Sequence, residues 1–265
     1  MAIVMISRGT FAGGERLAQL LGDRLSYRNI SREQLLNRVR DTYGIATDKL
    51  DEMLDHAPPL FDRAARQNQR LMVVLQASLC ELIGDDRVVY HGRVGHLFLA
   101  GVEHLLKVRL IAPRAKRVEL AMKREGITEF EANRRIDNVD AQRVRWSRYF
   151  YGVDWTDPAL YDMVLNLEWT PVEDMAELVA AATRLPAYQP SEASRAHLRD
   201  VRLASHLRAR LLTDPSTSDF LLEVKAEAGK VRVSGVSQRE HIDLVTQVVQ
   251  KEPGVEKVEV VSLAR

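Results

Sequence analysis

The stretch SRGTFAGGERLA, residues 7–18, carries two glycines, Gly9 and Gly14, at the separation found in phosphate-binding loops. It follows a short apolar run, AIVMI, and leads into LAQLLGDRL, whose apolar spacing is that of a helix. A strand that passes through such a loop into a helix aims several backbone N–H groups and the positive end of the helix dipole at one point, making an anion site before any side chain is counted. After Gly14 come Glu15 and Arg16, where a lysine followed by serine or threonine is usual. One charge-assisted hydrogen bond is worth about 1.5–3 kcal/mol, so the missing lysine alone weakens phosphate binding by about ten- to a hundredfold. Arg8 and Arg16 flank the loop and can return that charge, because an arginine fork suits phosphate oxygens; Glu15 opposes it. Thr10 and Ser7 are the hydroxyls near enough in sequence to help hold Mg2+. An ordinary strand-to-helix turn is the alternative reading of the same residues.

In RRIDNVDAQR, Asp137, Asp140 and Arg143 are spaced by three and share one helical face beside Arg134 or Arg135. Such a mixed-charge face can read a base and clamp phosphates together; the alternative is a solvated helix held by its own ion pairs. Arg93 follows VVYHG at the end of a predicted strand, where open α/β sheets bind ligands. His91, His96 and His104 show no metal-ligand spacing, so no metal-binding residue is assigned. Cys80 lies in the apolar stretch LMVVLQASLCELI without a basic neighbour, which argues against a nucleophile. The aromatic cluster WSRYFYGVDW is read as packing rather than as a stacking surface for single-stranded nucleic acid.

These residues need a sheet to hold them. Strands are expected at AIVMIS, RVVYHG, HLLKVRLIA and YDMVLNL, and helices at 14–25, 31–41, 47–55, 61–83 and 113–125. TEFEANRRIDNVDAQRVRWSRYFYG is read as two charged helical segments and VEDMAELVAAATRL as a closing helix. Apolar strands alternating with helices imply an α/β fold, a parallel sheet covered on both faces. LPAYQPSEAS, with two prolines and small polar residues, is read as a linker. Beyond it the pattern becomes helix, two alternating strands turning at 228–230, helix and strand, a small α+β unit of order αββαβ. The division is 1–186 and 195–265.

A chain of 265 residues that is 46% hydrophobic can bury one large core and a second small one. The net charge of +1 gives no global attraction to nucleic acid or to an anionic membrane. With a single cysteine no intramolecular disulfide forms, and no apolar run reaches the roughly 18 residues of a transmembrane segment. A cytoplasmic protein is expected.

ISRGTFAGGERLAQLLGDRLSYRNISREQLL resembles the opening of the cytidylate kinase-like proteins, P-loop relatives of the nucleoside monophosphate kinases. In that family the lysine is commonly absent and an arginine follows the glycines, so Glu15 and Arg16 resemble its Arg-Glu pair in reversed order. The resemblance continues through VVYHGRVGHLFL, LIAPRAKRVELAMKREGIT and ANRRIDNVDAQRVRWSRYFYGVDWTDPALYDMVLN, covering residues 2–183. It implies ATP-dependent phosphoryl transfer, with Mg2+, to a pyrimidine nucleotide such as CMP. It also implies Arg8, Gly9, Thr10, Gly13, Gly14 and Arg16 around the donor phosphates, and Arg93 on the acceptor phosphate. Asp137, Asp140 and Arg143 would bind the acceptor, with Asp140 on its base, while Arg16, Arg135 and Arg143 offset charge during transfer. At position 136, where those kinases carry an arginine, this chain has isoleucine. The C-terminal unit resembles the BON domain, an interaction module, which implies a protein or phospholipid partner and no catalytic group. The competing reading is a catalytically impaired nucleotide sensor that signals through that unit.

Overall fold

The computed structural model describes residues 1–55, 65–84, 86–92, 95–220, 222–236 and 238–262. In chain order the elements are β1 (Ile3–Arg8), α1 (Gly14–Leu25), β2 (Arg28–Ser31), α2 (Arg32–Tyr43), α3 (Thr47–Asp55), α4 (Ala65–Ile83), β3 (Val88–His91), α5 (Gly95–Phe98) and β4 (Leu105–Ile111). There follow α6 (Arg114–Glu125), α7 (Glu129–Tyr151), β5 (Met163–Asn166), α8 (Val172–Ala182), α9 (Glu192–Thr213), β6 (Glu223–Glu227), β7 (Lys230–Val236), α10 (Arg239–Gln250) and β8 (Lys257–Ser262).

The first five strands pair in the order β2-β3-β1-β4-β5, every pair parallel. This is the expected α/β sheet with helices on both faces. Strand β1 is central and apolar on both sides, as a strand covered by two helix layers must be. Ile3 and Met5 face α2, α4 and Leu198 of α9, whereas Val4 and Ile6 face Leu17 and Leu21 of α1 and Val179 of α8. Since β3 lies on one side of β1 and β4 on the other, the strand order reverses at β1. The crevice beyond its C-terminal end is the place where such sheets bind ligands. The loop at Gly9 and the end of β3 both open there.

Four elements differ from the sequence reading, one of them the short α5, where no helix was expected. The stretch expected as two charged helices is one helix, α7, started by the reciprocal hydrogen bonds of Thr128 and Glu131 and stopped at Gly152 in the left-handed region, φ 68°. Nothing between those signals breaks it. The sequence reading missed β2 because its RNIS segment has no apolar run; pairing with β3 makes it a strand. Helix α9 begins inside the expected linker, where Ser191 caps it by accepting from Ser194 N–H at 3.0 Å. The part of the fourth expected helix at 61–64 lies outside the described residues.

The C-terminal elements follow the αββαβ order, with β6 antiparallel and β8 parallel to β7. Their core joins Leu207 and Leu211 of α9 to Val231, Val233, Val245 and Val249. Helix α9 serves two cores, because its Leu198 and Ala209 are buried with α4 in the larger one. Among the described residues no helix is long and apolar enough to cross a membrane.

Candidate nucleotide site

The loop leaves β1 with Gly9 N–H donating to the Leu110 carbonyl at 3.1 Å and Ala12 N–H closing back on the Gly9 carbonyl at 3.1 Å. Gly13 then turns the chain into α1 with φ 78°, a left-handed conformation that favours glycine. Gly14 is needed for a different reason: a Cβ there would stand 2.5 Å from Cδ of Arg8. Phe11 also has positive φ, 59°, a strained choice for a bulky residue. Its ring is held against a small cluster of Val118, Ala121, Ala132 and Ile136 between α6 and α7, which offsets that strain. Ile136, at the position where the sequence resemblance implies an arginine, is wholly buried in this cluster and anchors the loop's apolar side.

The polar side of the loop is held by α6 and α7. Arg117 donates through Nε to the Thr10 carbonyl at 2.7 Å and through Nη2 to Oδ2 of Asp140 at 2.5 Å. Thr10 Oγ1 donates to the other oxygen of Asp140 at 2.8 Å, closing a ring of three residues. One turn along α7, Arg143 donates through Nη1 to the Arg8 carbonyl at 2.8 Å. The i+3 spacing read from the sequence therefore brings Asp140 and Arg143 to the loop. It does not bring Asp137 there: Asp137 is exposed and pairs with Arg114, whose hydrogen bond holds its carboxyl below the ordinary carboxylate range.

Beyond Arg143 lies a cavity of about 60 Å³ lined by Arg8, Arg32 and Arg143 together with His96, Trp146 and Trp155, with no carboxylate among the described lining residues. Arg8 is largely desolvated, which lowers its pKa, while the charges of Glu15 and Glu33 raise it. Burial and, to a lesser degree, Lys107 push the imidazole of His96 down to about 4, so it is neutral at pH 7. Trp155 is fixed from several directions: its backbone N–H donates to Ser147 Oγ, its carbonyl accepts from Tyr161 and Arg109, and Arg109 lies 4.7 Å over its ring. Arg143 also lies over that ring, at 5.5 Å. Three guanidinium groups and aromatic walls, with no acid among the described lining residues, suit a phosphorylated small molecule.

Residues 3–168 match the model of the cytidylate kinase-like family. The chain belongs to that family. A cytidylate kinase of Methanopyrus kandleri is 33% identical over 130 residues, 46% of this chain and 67% of that protein. One from Methanosarcina acetivorans is 27% identical over 177 residues, 66% of this chain and 92% of the other. Among solved structures, an uncharacterized protein from Eubacterium ventriosum superposes with a TM-score of 0.52 at 16% identity, covering 69% of this chain and 98% of that one, a likeness of fold. The family match ends before α8 and does not reach the C-terminal unit.

Within this cytidylate kinase-like fold the other expected site residues are spread out. Gly9, Thr10, Gly13 and Gly14 form the loop, and Arg8 lies across Gly14. Arg16 points away from it, half exposed and 3.3 Å from Glu173 of α8. Glu15 turns toward Arg124, at 3.6 Å. Arg135 pairs with Glu125 at the end of α6, 2.8 Å away, outside the loop and cavity. Arg93 lies outside the described residues. Arg32, Arg109 and Arg117 escaped the sequence reading. Arg109 had a signal, because Lys107, Arg109 and Ile111 alternate with buried residues along β4. Arg117 had none, since its partners are 107 and 23 positions away. Among the described residues no group of three His, Cys, Asp or Glu side chains is arranged to hold a metal ion.

Proposed function

We propose that residues 1–186 catalyse ATP-dependent phosphoryl transfer to a pyrimidine nucleoside monophosphate such as CMP, in the cytoplasm. The observation that carries this reading is the position of Arg143, which donates to the backbone of the phosphate loop and also lines the arginine-rich cavity. A guanidinium shared by donor and acceptor sites is placed to offset the charge that develops on the transferring group. Family membership and the cytidylate kinases among its relatives support the reaction class. Arg8 and Arg32 would hold the acceptor phosphate, and Asp140, once released from the loop, would read the base. Mg2+ fits the hard oxygen donors present, the Thr10 hydroxyl and the phosphates themselves, and would neutralise phosphate charge when bound. ADP formation that requires both ATP and CMP tests the reading; no turnover over a panel of nucleoside monophosphates with Mg2+ present overturns it.

A second reading, a nucleotide sensor without turnover, is favoured by one observation: the loop lacks its lysine, and Asp140 occupies its polar side. Nucleotide binding without ADP formation would select it. In either reading residues 195–265 would be a BON-like interaction module, supported by the αββαβ order and by the tight turn at Ala228 and Gly229, both at positive φ. The open face of its sheet mixes Lys225, Lys230, Arg232 and Lys257 with Glu223, Glu227 and Glu259, and this mixed charge suits a protein partner better than an anionic phospholipid surface. Co-sedimentation with anionic vesicles would reverse that choice.

A further inference from the structure

The loop lacks the lysine that follows the second glycine, and the arginine nearest in sequence turns outward to Glu173. Another guanidinium lies against the loop itself. Arg117 of α6 comes within 3.7 Å of the position a Cβ would take at Gly9, and its side chain is 14% exposed. One edge is spent on the Thr10 carbonyl, 2.7 Å away, which fixes the fork relative to the loop backbone. The other edge holds Asp140, whose second oxygen takes the Thr10 hydroxyl. A carboxylate bridging a guanidinium and a hydroxyl beside a helix N-terminus makes the contacts that two oxygens of a phosphate group would make.

We propose that Arg117 is the cation of the phosphate loop, doing from α6 what the missing lysine does from within the loop, and that Asp140 holds its place until a phosphate replaces it. The assignment rests on the reading that this loop binds a nucleotide. No bond is made or broken: one anion replaces another on Arg117 and Thr10. The same exchange frees Asp140 for the role given to it above. It also explains why Glu15 and Arg16 tolerate their reversed order, since neither side chain faces the anion site.

Titration calorimetry of the full chain with ATP and with sodium tripolyphosphate separates a phosphate contact from a base contact. Arg117→Gln is expected to weaken both ligands by about ten- to a hundredfold, the worth of one charge-assisted contact, and Arg117→Lys to recover part of that loss. Arg16→Ala should change either affinity by less than about threefold, as for an exposed ion pair. Asp140→Asn should tighten tripolyphosphate, because the competing charge is gone, whereas a carboxylate that only reads a base would leave that ligand unaffected. Wild-type binding that Arg117→Gln leaves within about threefold, or a loss confined to ATP, overturns the assignment while the nucleotide reading stands. A wild type that binds neither ligand overturns both. Should Arg117→Gln fail to fold by circular dichroism, Arg117→Lys and Asp140→Asn decide: unchanged tripolyphosphate affinity in both overturns the assignment.

Discussion

On the two sides of Arg143 the same kind of charge is kept on opposite terms. On the loop side the cation Arg117 is already satisfied by a carboxylate and a carbonyl of the chain itself. On the cavity side, Arg8, Arg32 and Arg143 line the space with no acid among the described lining residues, and burial makes the charge on Arg8 costly. An anion entering the loop must displace Asp140, whereas an anion entering the cavity relieves a desolvated cation. If the proposed function holds, one phosphate site is held closed by the protein's own carboxylate and the other is held open at a cost in stability, both within reach of a single side chain.

Loss of that side chain should have the largest effect. Arg143→Ala removes the donor to the Arg8 carbonyl and one wall of the cavity. It should lower kcat/KM by about a hundred- to a thousandfold, with both substrates affected, as removal of a preorganised charge donor does. Steady-state kinetics with each substrate varied in turn checks this. A loss confined to one substrate breaks the claim that the two sides share Arg143.

Acid should then unsettle the cavity side selectively. His96 stays neutral because burial depresses its pKa from 6.5 to about 4. As pH falls from about 6.5 to 4, the unfolded chain takes up a proton there that the folded chain refuses, so stability is lost on the acid side and unaffected above. The slope is about 1.4 kcal/mol per pH unit, or about 3 kcal/mol across the window. Denaturant titrations at several pH values should show this slope in the wild type and a shallower one in His96→Gln; equal slopes would mean that His96 is not kept neutral by the fold.

Arg32→Ala isolates the cavity further. Arg32 opens α2 and is paired with Asp51 of α3 at 2.7 Å, away from the loop. The substitution should raise KM for the acceptor by about ten- to a hundredfold and leave ATP affinity unchanged. Equal losses for both substrates would merge the two sides into one site.

The sequence showed the loop side better than the cavity side, for physical reasons. Gly9 and Gly14 announce a strand-to-helix turn locally, and Asp140 and Arg143 keep helical spacing, so local rules suffice. The parallel sheet follows from apolar strands between helices, and only RNIS, a strand by virtue of its neighbour, escaped. Arg117 and Arg32 gain their roles from how α6 docks on the loop and how α2 is set beside the crevice, which no spacing encodes. Arg16 shows the converse: adjacency to the glycines suggested a phosphate contact, but this third residue of α1 faces Glu173 of α8. The polar, proline-containing segment read as a linker holds the start of α9, because Ser191 is a cap as well as a loop residue.

Reversing the charge at Glu15 should have the smallest effect and discriminates most finely between a closed loop and an ordinary one. Glu15 stands in the first turn of α1, well exposed, 3.6 Å from Arg124. There it favours the helix dipole but repels any phosphate at the same helix end. Glu15→Lys exchanges that repulsion for attraction, and at an exposed position the gain is about 0.3–1 kcal/mol, or about two- to fivefold in ATP affinity at low salt. Because the charge acts through solvent, the gain should fade as ionic strength rises past about 0.15 M, where screening sets in within about 8 Å. Calorimetry at two salt concentrations checks it. If the new lysine instead tightened ATP by more than about tenfold and kept that gain in salt, it would be making a direct, desolvated contact as the usual lysine does. The place assigned to Arg117 and Asp140 would then be open to another residue, and the contrast between a closed loop and an open cavity would fail on its loop side.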